Sequence, residues 1–363
     1  MKILIVQDFL RSGGTERQSC LLANAFAAAG HAVALLTFRP GGVLAAMPQS
    51  AVQRIVLQAR DTGCEWYAPS LTRTARAWAP DIVLCMGRMA NCYGGRLAAA
   101  LPDARVIATL RTGKSLPWLF RRSLRRVAHV VANSEDSRDL LHSAHHVPPE
   151  RVSVIHNALV FPPAATRVTE PAEHPLRQRE GAGAGSLVMV WVGMFRPEKN
   201  QRELIEIVSQ LPRDASWQVW FAGDGVTQPR CVDLVKQKGL SDRVKFFGFQ
   251  EDPSELYRAA DLAVLTSTRE SLSNFLIESH AHGLPSVAYD VTGARECGGI
   301  VVPRGDQSAF LATISRFLDD RVALQSESAR VRAYAQAHFS PERQTAAYLE
   351  LFARLRLPSP VSP

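Results

Sequence analysis

The amino-acid sequence predicts an α/β protein with two doubly wound domains in tandem, each built around a parallel sheet. Its 363 residues exceed what one ordinary core accommodates and suit two domains of typical size. In both halves, apolar segments of strand length alternate with segments of helical pattern, as in parallel sheets covered by helices on both faces. A stretch rich in Pro, Gly and charged residues, 164–185, separates the halves as a predicted linker.

The first half, residues 1–163, is the predicted N-terminal domain. Its first helix follows the first strand and presents one apolar face, formed by Leu22, Ala25, Phe26 and Ala29. The segments read as its strands are KILIVQ, AVALLTF, RIVLQ, DIVLCMG, RVIATLR, HVVANS and VSVIHN.

The same alternation resumes after the linker in a second predicted domain, residues 186–338. Its apolar segments are LVMVWVG, WQVWFAG, VKFFGF, DLAVLTS, PSVAYD and GIVVP. A C-terminal helix and tail, 339–363, are expected to pack back toward the first domain. Because parallel sheets bind ligands at the carboxyl ends of their strands, functional residues are expected in the loops that follow these segments.

The composition is typical of a soluble globular protein, with 46% hydrophobic and 21% charged residues. The longest apolar stretches are of strand length and far too short to span a bilayer. The N-terminal MKILIVQDFL soon becomes polar, which indicates a buried first strand rather than a signal peptide. Six cysteines without a CxxC pair indicate reduced core residues, so the predicted location is cytoplasmic.

A basic segment occupies residues 111–127, where no acidic residue interrupts the cations. Those cations are Arg111, Lys114, Arg121, Arg122, Arg125 and Arg126. Trp118, Leu119 and Phe120 lie among them, as in a helix at an anionic inner-membrane surface. A solvated helix whose apolar residues pack on its own domain explains the segment equally well. Nucleic acid is a less suitable partner, because the segment has no DNA- or RNA-binding motif.

The loop DFLRSGGTER follows the first predicted strand and offers a site for an anion. Gly13 and Gly14 permit close backbone approach, and the next helix begins with unpaired N–H groups. The loop lacks the third glycine of a dinucleotide-binding motif, so an NAD-dependent dehydrogenase is disfavoured.

The loop VGMFRPEKNQREL places Arg196 and Lys199 just before a helix. That end of a helix already carries partial positive charge, so two further cations favour a bound anion such as a diphosphate. The alternative is that both cations pair with Glu198 or Glu203 on the surface.

The segment TSTRESLSNFLIESHAHG combines a loop and a helix start with two carboxylates. Glu278, about one turn into the helix, can reach back to its start, and Glu270 approaches the same space from the loop. Between them, the N–H groups of 271–275 can donate to sugar hydroxyls or phosphate oxygens. Surface glutamates at a helix start would explain either residue alone, but explain the pair less well.

Taken in order, these motifs resemble those of the GT-B glycosyltransferases of family four, which transfer sugars with retention of configuration. The resemblance covers nearly the whole chain and rests on SGGTERQ, NSEDSRDLL, VIHNALV, VGMFRPEKN, FAGDG, VKFFGF and RESLSNFLIESHAHGLPSV. It implies the GT-B fold, in which two Rossmann-like, doubly wound parallel-sheet domains face each other across a cleft.

The resemblance also implies roles for individual residues. Glu278 would hold the ribose hydroxyls of the donor, Glu270 would face the sugar, and Arg196 and Lys199 would stabilise the diphosphate leaving group. Gly14 would close over the diphosphate from the first domain. The other donor-binding candidates are Gly193, Gly248, Ser271, Leu272, Ser273 and Asn274. No cofactor or metal ion is implied, and no Asp-x-Asp motif follows a strand.

Two departures of the sequence from the family pattern concern candidate site residues. Many relatives carry arginine where Met194 stands, and Arg196 is the expected substitute. Relatives often have a histidine near the sugar in the first domain, and this chain offers other polar residues there. Together with Gly13, those acceptor or cleft candidates are Arg88, Asn91, Arg111 and Lys114.

The resemblance and the residues together predict a metal-independent, retaining glycosyltransferase. The expected donor is a UDP-sugar carrying a hexose or N-acetylhexosamine, with GDP-mannose as the main competitor. The expected acceptor is a glycan or glycolipid of cell-envelope polysaccharide or lipopolysaccharide synthesis. The alternatives are a sugar-nucleotide epimerase or phosphorylase of the same fold, or a non-catalytic protein that docks on a membrane through the basic segment.

Overall fold

The computed structural model describes residues 1–11, 13–159, 161 and 174–356. The described chain forms two compact units. The first unit contains residues 1–158 and the chain from Pro341 onward, and the second contains Leu159–Ser340.

The first unit is built on a parallel sheet with strand order β3-β2-β1-β4-β5-β6-β7. Its strands are β1 (Lys2–Gln7), β2 (Ala32–Thr37), β3 (Gln53–Val56), β4 (Ile82–Cys85), β5 (Arg105–Leu110), β6 (His129–Ala132) and β7 (Val152–Val154). Its helices are α1 (Gly14–Ala28), α2 (Leu71–Trp78), α3 (Arg88–Ala100), α4 (Trp118–Leu124), α5 (Glu135–Ser143) and α13 (Pro341–Arg356). The order reverses between β1 and β4, the position at which such sheets bind ligands.

Continuous apolar strands form this sheet because both of its faces are buried. Along β1, Leu4 and Val6 belong to one apolar core, whereas Ile3 and Ile5 belong to a separate one. Successive side chains of a strand point to opposite faces, so an unbroken apolar run requires a cover on each side. This confirms the predicted doubly wound α/β class.

The second unit repeats this architecture with strand order β10-β9-β8-β11-β12-β13. Its strands are β8 (Leu187–Val192), β9 (Trp217–Ala222), β10 (Val244–Phe246), β11 (Leu262–Leu265), β12 (Ser286–Tyr289) and β13 (Ile300–Val302). Its helices are α6 (Pro175–Arg179), α7 (Gln201–Val208), α8 (Gln228–Gln237), α9 (Ser254–Ala259), α10 (Asn274–Ala281), α11 (Gln307–Asp319) and α12 (Arg321–His338).

The described part of the predicted linker, 174–185, is an integral part of the second unit. Arg177 of α6 is 1% exposed, pairs with the carboxylate of Asp261 and donates to the carbonyl of Ser186 at 2.9 Å. Asp261 also accepts the N–H of Val188 at 2.8 Å. The buried carboxylate of Asp261 makes the burial of the Arg177 guanidinium possible. Residues 164–173 lie outside the described chain.

Helix α13 packs on α1 in the first unit. Phe352 and Tyr348 lie 5.5 and 6.0 Å from Phe26, measured between ring centroids. Beside them, the buried side chain of Gln18 bonds both backbone groups of Ala158, accepting its N–H at 3.1 Å and donating to its carbonyl at 2.5 Å. The amide of Gln344 donates to Gln18 at 3.0 Å. Polar groups buried here are therefore satisfied by hydrogen bonds.

Candidate functional site

Two loops predicted to carry chemistry lie side by side at the carboxyl edge of the second sheet. They follow β8 and β11, which are adjacent strands in that sheet. The N–H of Thr268 donates to the carbonyl of Glu198 at 2.9 Å, and the hydroxyl of Thr266 donates to the carbonyl of Asn200 at 3.0 Å. The neighbouring strands therefore join loops that are far apart in sequence.

The side chains of Lys199 and Glu270 meet between these loops. Lys199 Nζ lies 2.6 Å from Glu270 Oε1, and the two side chains are 26% and 11% exposed. The sequence left open a pairing of Lys199 with Glu203, but Glu203 instead accepts the hydroxyl of Tyr289 at 2.7 Å. Two predicted site residues thus form one half-buried ion pair, accessible at its cationic end.

Arg196 lies on the same loop as Lys199. It directly precedes a short 3₁₀ turn, Pro197–Lys199, and its side chain is half-buried. Asn200 then adopts a left-handed backbone with φ of 53°, which turns the chain into α7. Met194, on the same loop, is 42% exposed.

Glu278 is oriented by a residue that sequence reasoning missed. The hydroxyl of Tyr257, on α9, donates to Glu278 Oε2 at 2.9 Å. Tyr257 itself is buried and packs 6.2 Å from the ring of Phe275. Glu278 lies on α10, whose first turn is capped by the hydroxyl of Ser273. No spacing in the sequence could have indicated this contact, because the two residues belong to different helices.

The segment from Ser271 to Asn274 is fixed from behind. Ser271, Leu272 and Ser273 are buried, whereas Asn274 is half-buried at the start of α10. Gly293 has φ of 73°, and a Cβ atom there would lie 2.1 Å from the carbonyl oxygen of Ser271. The backbone of the donor-binding candidate loop is therefore held by close packing that only glycine permits.

Glycines also allow close backbone contacts at the ends of β8, β9 and β10. A Cβ atom at Gly223 would lie 2.0 Å from the carbonyl oxygen of Gly193, and the N–H of Gly223 donates to the carbonyl of Gly248 at 2.7 Å. Gly193 and Gly248, both predicted to bind the donor, therefore lie on either side of one turn. Phe249, which follows, is exposed.

The glycine-rich loop of the first unit is accompanied by a carboxylate. Gly13 is the N-cap of α1 and Gly14 its first residue. A Cβ atom at Gly13 would lie 2.3 Å from Glu16 Oε2, and Arg11 Nε lies 3.6 Å from Glu16 Oε1. Burial raises the pKa of Glu16. This helix start is therefore already complemented by a residue of its own first turn.

Among the acceptor or cleft candidates, two side chains have partners inside the first unit. Asn91 is 1% exposed, donates to the carbonyl of Gly87 at 2.8 Å and accepts the N–H of Thr109 at 2.9 Å. Asn91 therefore joins α3 to β5 within the first unit. Arg111 pairs with Asn157 and donates to the hydroxyl of Tyr348 at 2.6 Å.

The other two candidates are accessible. Arg88 is exposed at the start of α3 and donates to the carbonyl of Ser115 at 2.9 Å. Lys114 is exposed in the loop after β5. Both cations are therefore exposed to solvent in the first unit.

Asp8, at the end of β1, is a second residue that sequence reasoning missed. Its carboxylate accepts the N–H groups of Met89 and Ala90 at 2.9 and 2.6 Å, and so caps the start of α3. A Cβ atom at Gly87 would lie 2.3 Å from Asp8 Oδ1. Burial raises the pKa of Asp8 to about 7, although both N–H groups act in the opposite direction. A polar residue directly after an apolar strand was the available signal.

Two family models together match most of the chain. The model described as Glycosyltransferase Family 4 matches residues 12–159, and the model described as Glycosyl transferases group 1 matches residues 186–320. Each matched range lies in a different half of the chain.

Curated relatives match parts of the chain. The lipopolysaccharide core biosynthesis glycosyltransferase LpsE of Rhizobium meliloti is 31% identical over 175 residues, 47% of this chain and 51% of LpsE. The D-inositol 3-phosphate glycosyltransferase of Thermobispora bispora is 29% identical over 308 residues, 78% of this chain and 68% of that protein. The match thus spans about half the length of relatives such as LpsE.

Among solved structures, that of Anabaena HepE in complex with UDP resembles this one with a TM-score of 0.81. It is 22% identical and covers 98% of this chain and 100% of its own. At this level of identity the similarity establishes the fold.

Proposed function

Because the chain belongs to family four of the GT-B glycosyltransferases, we propose that it transfers one sugar from a nucleotide-sugar to a glycan or glycolipid. The donor is a UDP-sugar that carries a hexose or an N-acetylhexosamine, and the configuration at the anomeric carbon is retained. The acceptor belongs to cell-envelope polysaccharide or lipopolysaccharide synthesis. LpsE, a lipopolysaccharide core glycosyltransferase, and HepE, solved with UDP-glucose, support this assignment.

The observation that carries the proposal is the ion pair of Lys199 with Glu270. Glu270 attracts the ammonium group of Lys199 and so positions it to stabilise a leaving diphosphate. The carboxylate of Glu270 also accepts hydrogen bonds from sugar hydroxyls. Lys199 and Arg196 stand on one loop, where they can neutralise the charge that develops on the departing phosphate oxygens. Fixed cations stabilise such charge without reorganising during the reaction.

The remaining donor contacts follow from the loop and helix that carry Glu270. Glu278, held by Tyr257, accepts hydrogen bonds from the ribose diol. The N–H groups at the start of α10, with the preceding residues from Ser271, bind sugar hydroxyls or phosphate oxygens. Gly193 and Gly248 border the nucleotide at the ends of β8 and β10, and the space beside Gly248 is open.

The proposed reaction is a front-face displacement. The bond from the anomeric carbon to the phosphate oxygen breaks, and the acceptor hydroxyl oxygen bonds to the same face of that carbon. The proton of the acceptor hydroxyl passes to the departing diphosphate oxygen, so no separate base is required. In this proposal, Arg196 and Lys199 supply the positive charge that a divalent metal ion would otherwise provide.

We further propose that the protein works at the cytoplasmic face of a membrane. No helix in the described chain is long and apolar enough to cross a bilayer. In the basic segment, Phe120 and Leu124 are buried, whereas Trp118 is 60% and Leu119 51% exposed. The guanidinium of Arg122 lies 5.4 Å from the ring centre of Trp118. Exposed aromatic and basic side chains together suit an anionic lipid surface.

Donor hydrolysis and transfer test the proposal directly. The purified protein is offered UDP-glucose, UDP-galactose, UDP-N-acetylglucosamine and GDP-mannose, with and without a lipopolysaccharide core oligosaccharide. We expect a UDP-sugar to be consumed, and Lys199→Met to reduce the rate by about 100- to 1000-fold, as for other groups that stabilise developing charge. Lys236→Met, at an exposed site on α8, is the matched control. If no sugar nucleotide is consumed or bound, or if both variants behave alike, the proposal is wrong.

A further inference from the structure

Two aromatic side chains of the first unit are exposed side by side. Trp66 is 62% and Tyr67 45% exposed, in the loop that follows β3. Their ring centres lie 6.5 Å apart with an interplanar angle of 74°, so the two rings form a corner. A protein gains stability by burying large aromatic side chains. Two of them exposed together therefore commonly mark a binding site.

The loop holds this aromatic pair in place. The buried amide of Gln58 donates to the carbonyls of Cys64 and Tyr67 at 2.9 and 2.6 Å. The hydroxyl of Tyr93, on α3, donates to the carbonyl of Trp66 at 2.5 Å. Backbone groups on both sides of the aromatic rings are therefore bonded to the body of the unit, and the exposure of the rings is built into the fold.

A second set of contacts fixes the start of the same loop. Arg39 binds both carboxylate oxygens of Asp61, at 2.7 and 2.8 Å, and its guanidinium lies 4.1 Å from the ring centre of Phe9. The Arg39 hydrogen bonds lower the pKa of Asp61 to about 2, so this pairing persists at physiological pH. A rigid loop loses little conformational entropy when it binds a ligand.

Polar groups border the aromatic corner. Glu65 directly precedes Trp66, and Arg11 Nη1 lies 2.6 Å from Glu65 Oε1. Both side chains are partly exposed. Arg11 belongs to the loop that follows β1 and leads to Gly13, so the aromatic corner lies beside the glycine-rich loop at the carboxyl edge of the sheet. This is the edge where ligands of open parallel sheets bind.

The chemistry of this surface matches a sugar ring. A pyranose presents C–H groups on one face, and these pack against the negative face of an aromatic ring. Its hydroxyls project around the edge, where a carboxylate accepts hydrogen bonds and a guanidinium donates them. An anionic lipid surface would instead repel the carboxylate of Glu65 at this border.

We propose that Trp66 and Tyr67 form a platform on which a sugar ring of the acceptor glycan stacks, with Glu65 and Arg11 binding its hydroxyls. The identity of the glycan as an acceptor rests on the proposed function, whereas its binding to the platform does not. The platform is a binding site that selects the acceptor, and it takes no part in bond breaking.

Saturation-transfer NMR tests the platform without a nucleotide. The probes are the methyl glycosides of glucose, galactose, mannose and N-acetylglucosamine at millimolar concentration. We expect at least one to bind, and Trp66→Ala to weaken that binding by about tenfold or more, as when an aromatic anchor is truncated. Trp66→Phe keeps a ring face and should retain most of the binding. Leu140→Ala, at another exposed apolar residue of the first unit, should leave binding unchanged.

Kinetics then separate this inference from the proposed function. With an oligosaccharide acceptor, Trp66→Ala should raise the acceptor KM by about tenfold and leave donor hydrolysis and the donor KM unchanged. An active enzyme whose glycoside binding and acceptor KM are unaffected by Trp66→Ala would refute the platform and leave the proposed function standing. If Trp66→Ala lost vesicle binding but kept glycoside binding, Trp66 would be a membrane contact, and the platform proposal would again be refuted.

Discussion

Tyr257 controls the carboxylate proposed to bind the ribose. We expect Tyr257→Phe to raise the donor KM by severalfold while kcat changes little, because a typical hydrogen bond contributes about 0.5–1.5 kcal/mol. The ring and its packing on Phe275 are retained, so the fold should persist. Steady-state kinetics with the preferred UDP-sugar provide the measurement.

Tyr334 provides the matched control for this change. Its hydroxyl donates to the carbonyl of Glu296 at 3.2 Å, on a different part of the second unit. Tyr334→Phe should therefore leave the donor KM unchanged. Equal effects of the two substitutions would mean that the Tyr257 hydroxyl does not orient Glu278 for the donor.

Asp8 gives the first unit a specific dependence on pH. Its pKa is raised to about 7 by burial, whereas a carboxyl in the unfolded chain ionises near pH 4. Between about pH 4 and 7, the unfolded chain loses a proton that the folded chain keeps. The contribution of Asp8 to stability therefore falls as pH rises through this window and is constant above it.

Replacing Asp8 by Asn should remove this slope. Relative to wild type, the free energy of unfolding of Asp8→Asn should rise with pH between 4 and 7, by at most about 1.4 kcal/mol per pH unit. Urea unfolding at several pH values measures the difference. Asp103→Asn, at an exposed site of the same unit, should show no such trend. Parallel pH profiles for Asp8→Asn and wild type would contradict the assignment.

At the scale of elements, the side chain of Gln18 on α1 forms hydrogen bonds with both α13 and Ala158. Gln18→Met keeps the length of the side chain but leaves the N–H and carbonyl of Ala158 without this partner. We expect a loss of about 1–3 kcal/mol in the free energy of unfolding, the cost of buried polar groups left unsatisfied. Urea denaturation measures this loss.

The same substitution at Gln237 serves as the control. Gln237 is exposed at the end of α8, so Gln237→Met should change stability by less than about 0.5 kcal/mol. If Gln18→Met were as stable as Gln237→Met, the network around Ala158 would not contribute to stability.

For the whole molecule, the distribution of its net charge of +8 determines which surface binds an anionic membrane in this proposal. Arg121 and Arg122 are exposed beside Trp118. Replacing both by Gln should weaken binding to vesicles containing anionic phospholipid by about 30-fold, since each basic residue near such a surface contributes about 1 kcal/mol. Cosedimentation at low and high salt measures the affinity, which should fall as salt rises.

A double substitution in the second unit separates a local surface from overall charge. Replacing the exposed Arg230 and Arg304 by Gln changes the net charge by the same amount. This variant should bind vesicles as wild type does. Equal weakening in both variants would indicate non-specific attraction, and a wild-type protein that binds no vesicles would refute the membrane proposal.

Much of the architecture was predictable because it depends on local patterns. Unbroken apolar runs require two covered faces, and those runs became the strands of both sheets. Turn and helix signals likewise identified the loops in which Gly13, Lys199 and Glu270 lie. The helix α6 was not predicted, because its stability depends on the pairing of Arg177 with Asp261, 84 residues later.

The sequence by itself determined the two doubly wound folds, the family resemblance and the loops that carry the candidate chemistry. The tertiary structure decided which side chains meet: Lys199 pairs with Glu270, 71 residues away, and Tyr257 with Glu278, whereas Asn91 is buried in the first unit. The physical reason is that strand and helix patterns depend on near neighbours in the chain. Side-chain partners depend instead on which strands and helices become adjacent, and spacing along the sequence does not encode that order.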